Sequence, residues 1–291
     1  MSNTKLKINE QSIKTELKSY KDKPYQCLYE YIWNSFDAAA TEVRLNFELP
    51  IEGIGYIKNV TLLDNGKGWD FDDDATTNNF MSSTKKPRLN NTLPKGKYGR
   101  GRYAFIWICD KLYALSNGKK LTLNHNTEIK KEDFNFKQIG TQINFEGINE
   151  AFSNILAADK LFENLVLEFG WFLIENEKYK IFINESELKI GDFIKNSKKY
   201  LANSFPQKIK DELDNNFVAT IILWKEKPSE YSKFYFLNES NIEIFKLNTG
   251  LNKKSDDFWH SVYIKSNLFK TIDGIDEDNS ESSQIGLSFG D

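Results

Sequence analysis

Glu30, Asn34 and Asp37 fall at positions i, i+4 and i+7 of the run Glu30-x-x-x-Asn34-Ser35-x-Asp37-Ala38. On a helix these side chains share one face, so two carboxylates and a carboxamide point the same way among apolar residues that need a core. Carboxylates beside a core are costly unless they bind something. An asparagine oxygen is a hard, neutral ligand, suited to Mg2+ alongside phosphate oxygens and water. A glutamate one turn earlier could take the proton of a water attacking a phosphate. The same pattern also suits an ordinary amphipathic helix with a polar face.

Three further stretches carry candidate chemistry. Asp64-Asn65-Gly66-Lys67-Gly68-Trp69 follows an apolar run. It reads either as a strand-ending turn or as an acidic acceptor for an exocyclic amine, with glycines that let backbone approach a flat ring. Gly96-Lys97-Tyr98-Gly99-Arg100-Gly101-Arg102 precedes an apolar run, and Lys85 to Arg102 holds seven basic residues and no acidic one, against a net charge of −3 for the whole chain. Glycines that turn successive N–H groups inward, next to a helix N-terminus, make a phosphate site. The alternative is a basic loop that touches nucleic acid. It is not a P-loop, because GxxxxGK[S/T] is absent, and the spacing is not a dinucleotide fingerprint. Gly140-Thr141 enters a strand and says little alone.

The elements that must position these residues follow from periodicity. Pro24 to Ala40 predicts a helix opening with proline, with Leu28, Ile32 and Phe36 four apart. Val43–Leu49 and Ile57–Leu63 predict strands. Residues 70–97 read as a loop, and Tyr98–Asp110 as a helix leaving a glycine-rich loop. Leu112–Ser116, Leu121–Asn124 and Thr141–Phe145 predict strands, Ala151–Glu175 one helix, and Phe182–Ile190 extended chain. A polar helix near 192–214 then gives way to strands at Phe217–Trp224, Phe234–Leu237, Ile242–Leu247 and Trp259–Ile264. The tail from Thr271 is acidic and Ser-rich.

Composition bounds the rest. The 291 residues suggest two structural units, and 22 Phe with 13 Tyr suffice for a core. Near-neutral charge argues against bulk coating of nucleic acid. Two cysteines, neither in a CxxC pair, make neither a disulfide framework nor a structural zinc site. No secretory signal and no run long enough to span a membrane is visible, so a cytoplasmic protein is expected.

In combination and in this order, the ExxxNSxDA helix, strand-end DNGxG, basic stretch, GxxGxG and late Gly-Thr strand resemble the GHKL ATPase superfamily. That group includes gyrase B subunits, MutL mismatch-repair proteins, ninety-kilodalton heat-shock chaperones, MORC proteins and histidine kinases. The resemblance covers residues 20–190, and GKYGRG looks most like the MORC and bacterial stand-alone branches. It implies an α+β fold, a two-layer α/β sandwich of the GHKL (Bergerat) type with a strand-rich C-terminal extension. The expected domains are 1–190, binding ATP, and 191–291, transducer-like.

The resemblance also implies roles. Glu30 matches the general base, and Asn34 the Mg2+ ligand beside the phosphates. Asp37 matches the aspartate near lid and nucleotide. Asp64 matches the aspartate that reads the adenine amino group, with Gly66, Gly68 and Trp69 beside the base. Gly96 to Arg102 (Gly96, Lys97, Tyr98, Gly99, Arg100, Gly101, Arg102) match the lid around the phosphates. Lys85, in Ser83-Thr84-Lys85, matches the element at the lid's start. Thr141 matches the threonine that holds a water near adenine. Trp33 departs from many relatives and is expected to pack below the site. Lys225, Lys253 and Lys254 are candidates for a lysine delivered to the γ-phosphate.

A histidine kinase needs a phosphoacceptor histidine on a helical hairpin, whereas His125 and His260 lie in strand or loop contexts. Glu30 therefore favours hydrolysis. The expectation is Mg-dependent ATP binding and hydrolysis that drives lid closure and dimerisation, in the N-terminal module of a larger or multi-component machine; the alternatives are a nucleic-acid-binding module using the basic 85–102 loop and an ATP-binding scaffold without hydrolysis. Nucleic acid and a client protein stay open as partners, and no membrane is expected.

Overall fold

The computed structural model describes residues 10–18, 21, 24–49, 56–73, 101–125, 128–157, 160–201, 218–227, 232–238, 243–251, 258–266 and 269. Lys85, Gly96, Lys97, Tyr98, Gly99, Arg100, Lys253, Lys254 and the tail from Thr271 lie outside the described residues. The described residues form two compact units, one ending at Phe193 and the other beginning at Ile194.

The first unit opens with α1 (Glu10–Glu16), α2 (Pro24–Asp37), β1 (Glu42–Phe47) and β2 (Asn59–Asp64). A 3-10 helix (Gly101–Trp107) leads into β3 (Cys109–Ser116), β4 (Lys119–Asn124), β5 (Ile129–Asp133) and β6 (Thr141–Ile148). Then come α3 (Glu150–Ala157), α4 (Lys160–Glu175), β7 (Lys180–Ile183) and β8 (Ser186–Glu187). The eight strands make one sheet in the order β5-β4-β3-β6-β2-β1-β7-β8. It is antiparallel except for the parallel β1–β7 pair.

One face of this sheet is apolar and meets the helices. Val43 and Leu45, Val60 and Leu62, Ile143 and Phe145, Leu112 and Ala114, and Leu121 and Leu123 are buried along it. α2 packs between that face and α4. The Tyr31 ring lies 5.0 Å from Phe145, and Tyr29 and Trp33 lie 5.6 and 4.7 Å from Phe169. The opposite face carries matched charges: Lys111 with Glu146, Arg44 with Glu42 and Glu185, Lys180 with Glu187. This alternation of buried and polar rows is what an antiparallel sheet with one covered face requires.

The second unit is a five-stranded sheet in the order β12-β11-β13-β10-β9. Its strands are β9 (Ile194–Leu201), β10 (Val218–Trp224), β11 (Lys233–Leu237), β12 (Glu243–Asn248) and β13 (His260–Lys265). On one face Thr220, Ile222, Tyr235, Leu237 and Tyr263 are buried. On the other, Phe236 stacks on Phe245 at 4.1 Å and Phe269 closes edge-on against Phe236 at 5.3 Å.

Besides α1, which the sequence reading did not foresee, four elements differ from the sequence expectation. The polar helix near 192–214 is not there at its start, because Ile194–Leu201 pairs with β10 as an edge strand. Its half-buried residues, Ile194, Ser197 and Tyr200, recur every third position and so mimic a helix, while exposed lysines protect the edge. Tyr98–Asp110 is not one helix. Gly101–Trp107 is 3-10 and β3 begins at Cys109, so the apolar run divides between a short tight helix and a strand. Ala151–Glu175 is two helices. Asn149 caps the first through the Phe152 N–H at 2.8 Å, and Ser153 Oγ holds the Ile57 N–H at 2.7 Å, whereas α4 serves the aromatic face of α2. β5, unforeseen, is a charged edge strand without alternation.

Candidate active site

α2 is buried almost all round. From Cys27 to Phe36 only Glu30 and Asn34 are half-buried, and Asp37 follows them on the same stripe. The other faces are spoken for by Phe145, Phe169 and Phe172. The Trp33 ring, which the sequence placed below the site, lies against α4, where its Nε1 donates to Glu168 at 2.7 Å. The helix thus offers solvent one narrow strip of acid and amide.

The helix ends without glycine. Ala39 takes φ 65°, the Ala39 N–H bonds Phe36 O at 2.9 Å and the Ala40 N–H bonds Ser35 O at 3.0 Å. This is a Schellman ending built on alanine, which costs about 1 kcal/mol in left-handed backbone. The turn after β2 docks on it. The Lys67 N–H donates to Ala38 O at 2.9 Å, and the Asn65 carboxamide oxygen accepts from the N–H groups of Thr41 and Glu42 at 2.8 and 3.0 Å. A Cβ on Gly66 would lie 2.9 Å from Ala38 O, so this glycine is required by the end of α2.

Register puts Val43, Asp64, Thr141 and Ser116 in one row on the helix-covered face, at adjacent strand ends. Asp64 is the centre of that corner. Its Oδ1 accepts from the Gly66 N–H at 2.9 Å and the Thr141 N–H at 3.2 Å, and its Oδ2 lies 3.0 Å from the Ser35 hydroxyl. A carboxylate has about four lone-pair sites, so one on Oδ2 remains for a further donor. Burial raises the Asp64 carboxyl above its usual range, opposed by the hydrogen bonds from Gly66, Ser35 and Thr141.

Sequence reasoning missed Ser35, Ser116 and the strictness of Gly140. The Ser116 hydroxyl is fully buried; it accepts from the Trp69 N–H at 2.9 Å and donates to Gly140 O at 3.0 Å. It thereby ties the Gly68-Trp69 segment to the Gly140-Thr141 turn. The available signal was Asn117-Gly118 after it, with φ 50° and 76°, a two-residue hairpin turn that fixes Ser116 at a strand end. Gly140 has φ 94°, and a Cβ there would stand 1.9 Å from Asp64 O. Gly68 has φ 82° and approaches Ser116 Oγ.

On the other side of the stripe, the buried Gly101 abuts Glu30. The Tyr31 hydroxyl donates to Arg102 O at 2.9 Å, fixing the 3-10 helix to α2, and burial lowers the Arg102 guanidinium below its usual pKa. The structure therefore gathers Asp64, Gly66, Gly68, Trp69 and Thr141 at one corner and sets Gly101 against Glu30. It leaves Asn34 and Asp37 on the intervening strip.

An α/β sandwich with an acid and amide strip on a buried helix, and a strand-end aspartate in a glycine turn, defines a class. Residues 23–154 match the family described as histidine kinase-, DNA gyrase B-, and HSP90-like ATPase. The match spans a little under half of the chain, and the described architecture, a large mixed sheet with helices and a further strand-rich sheet, is an α+β fold of the GHKL sandwich type. The matched span holds Glu30, Asn34, Asp37, Asp64 and Thr141. No curated protein matches the chain. Among solved structures, the chain is similar to the crystal structure of the N-terminal domain of a DNA repair protein, at 12% identity over 83% of each chain and a TM-score of 0.47. Among the described residues, no helix is long and apolar enough to cross a membrane.

Proposed function

We propose that this chain binds ATP along the strip of α2 and hydrolyses it, with Glu30 as general base. The observation that carries this reading is the strip itself. A helix buried on every other side keeps a carboxylate and a carboxamide half-open one turn apart, inside a span that matches an ATPase family. In hydrolysis the water oxygen bonds to the γ-phosphorus and its proton passes to the Glu30 carboxylate. The bond to the β,γ-bridging oxygen breaks, and ADP leaves. Asp64 accepts from the adenine amino group through its remaining lone pair, with Gly66, Gly68, Trp69 and Thr141 around the base. Asp37, Gly101 and Arg102 lie toward the phosphates, with the basic stretch from Lys85 supplying positive charge.

Mg2+ fits this donor set. Asn34 Oδ1 would hold it, with Glu30 one turn away. Among the described residues no group of three His, Cys, Asp or Glu could cage a metal ion. That suits a cation taking most of its ligands from phosphates and water. When bound, Mg2+ neutralises and orients the triphosphate. ATP-linked ordering of the basic stretch and dimerisation belong to the same proposal.

Calorimetric titration with MgATP, MgADP and MgGTP, followed by phosphate release, tests it. The adenine nucleotides should bind and GTP should not. Glu30→Gln should keep ATP affinity while phosphate release falls by about 10²- to 10⁴-fold. Wild-type turnover in Glu30→Gln would remove the base assignment, and equal binding of GTP the adenine assignment.

A further inference from the structure

Gly101 is a glycine for a reason its own backbone does not supply. Gly68 and Gly140 have φ values of 82° and 94°, which exclude side chains whatever the space around them, but Gly101 is not in the left-handed region. Its conformation is open to alanine. What a methyl there would meet is a single neighbour. The three heavy atoms nearest to a Cβ built on Gly101 all belong to Glu30: Oε2 at 2.5 Å, Cβ at 3.1 Å and the carboxyl carbon at 3.2 Å. Any side chain at 101 displaces the Glu30 carboxylate and meets nothing else first.

The contact is held from both sides. Glu30 is on α2, whose position is set by the aromatic packing of its neighbours Tyr29 and Tyr31 on Phe169 and Phe145. Gly101 opens the 3-10 helix, whose next residue, Arg102, takes the Tyr31 hydroxyl on its carbonyl at 2.9 Å. The hydrogen bond lies one residue along from the steric contact on each element. It fixes the distance between the two backbones while the missing Cβ leaves the carboxylate its place.

We infer that Gly101 is a positioning residue for Glu30: its bare Cα forms the wall that sets where the carboxylate stands. This rests on the reading of Glu30 as general base and assigns to Gly101 a role distinct from backbone contact with phosphates. Proton abstraction tolerates little misplacement, and an error near 1 Å can cost about 100-fold. The first atom a methyl at 101 would meet is the end of the Glu30 side chain rather than backbone, so the protein should accept the methyl by shifting the carboxylate and lose the geometry.

The test is a double-mutant cycle with MgATP as the probe. Gly101→Ala should lower phosphate release at saturating ATP by about 10- to 100-fold, with ATP affinity changed by less than about threefold. In a Glu30→Asp background, shorter by one methylene, Gly101→Ala should cost less than about twofold. Equal losses in both backgrounds would overturn the proposal, as would a loss confined to affinity, which would mean that Gly101 acts on the phosphates. If Gly101→Ala does not fold, Gly101→Ala with Glu30→Gly should restore folding by removing all three atoms the methyl meets; continued unfolding, with Glu30→Gly alone folded, would overturn it. Failure of the base reading is separately visible, as undiminished turnover in Glu30→Gln.

Discussion

Asp64 and Glu30 are both acids set beside the core of the same unit, and the neighbours that define their places differ in kind. Asp64 is fixed by bonds: two backbone N–H groups on Oδ1, a hydroxyl on Oδ2, and a turn clamped between α2 and β6. Glu30 is bounded by space, on a buried helix and against a glycine. A group that reads a ligand gains from rigid donors, since preorganisation lowers the cost of binding. For a group proposed to take a proton, a wall such as Gly101 limits where the carboxylate can stand. The comparison also separates kinds of glycine: around Asp64 the glycines meet backbone or carry positive φ, whereas Gly101 meets one flexible side chain.

The comparison can be broken at its rigid end first. Gly140→Ala forces a methyl against the Asp64 carbonyl at a φ that disfavours any side chain. Neither backbone can swing away, so urea unfolding should show a loss of at least about 3 kcal/mol. A loss as small as that of Gly101→Ala would end the distinction between the two corners.

Asp64→Asn sharpens it. The carboxamide oxygen can still accept from Gly66 and Thr141, and its NH2 can donate to Ser35 Oγ, so the fold should persist. Its outward group becomes a donor facing a donor, and ATP affinity should fall by about 10- to 100-fold in calorimetry. Stability should change in the other direction. Because the folded Asp64 carboxyl titrates above its unfolded value of 3.8, the native state binds a proton more tightly than the unfolded one. Its stabilising contribution is present below the unfolded value and is lost as pH rises through the folded one. Unfolding free energy measured against pH should show that decline in the parent and lack it in the variant.

Ser116→Ala is the smallest change and probes the link between the Trp69 segment and the Gly140 turn. It leaves a part-buried N–H and a buried carbonyl without the hydroxyl that serves both, a loss of about 1–2 kcal/mol in urea unfolding. An unchanged midpoint would mean that the link does not constrain the corner.

The glutamate, asparagine and aspartate of α2 were legible in the sequence because helical periodicity is local: spacing alone puts them on one face. The strands β1, β2, β3 and β6 were legible from alternation. β9 was not, because its half-buried residues recur every third position, and only pairing with β10 decides between helix and strand. Ser116 and Ser35 were illegible for a different reason. A serine says nothing until something distant in sequence needs its hydroxyl, and Gly140 and Asp64 are 24 and 29 residues away.

The sequence by itself determined α2 and the strands around it, the polar strip on α2 and the aspartate in its turn, since each depends on residues within a few positions. Tertiary structure decided the rest. Register brought Asp64, Thr141 and Ser116 into one row, and packing gave Gly101 its purpose by placing it against Glu30. Both are contacts between distant segments, where geometry is set by how the sheet and helix close on each other.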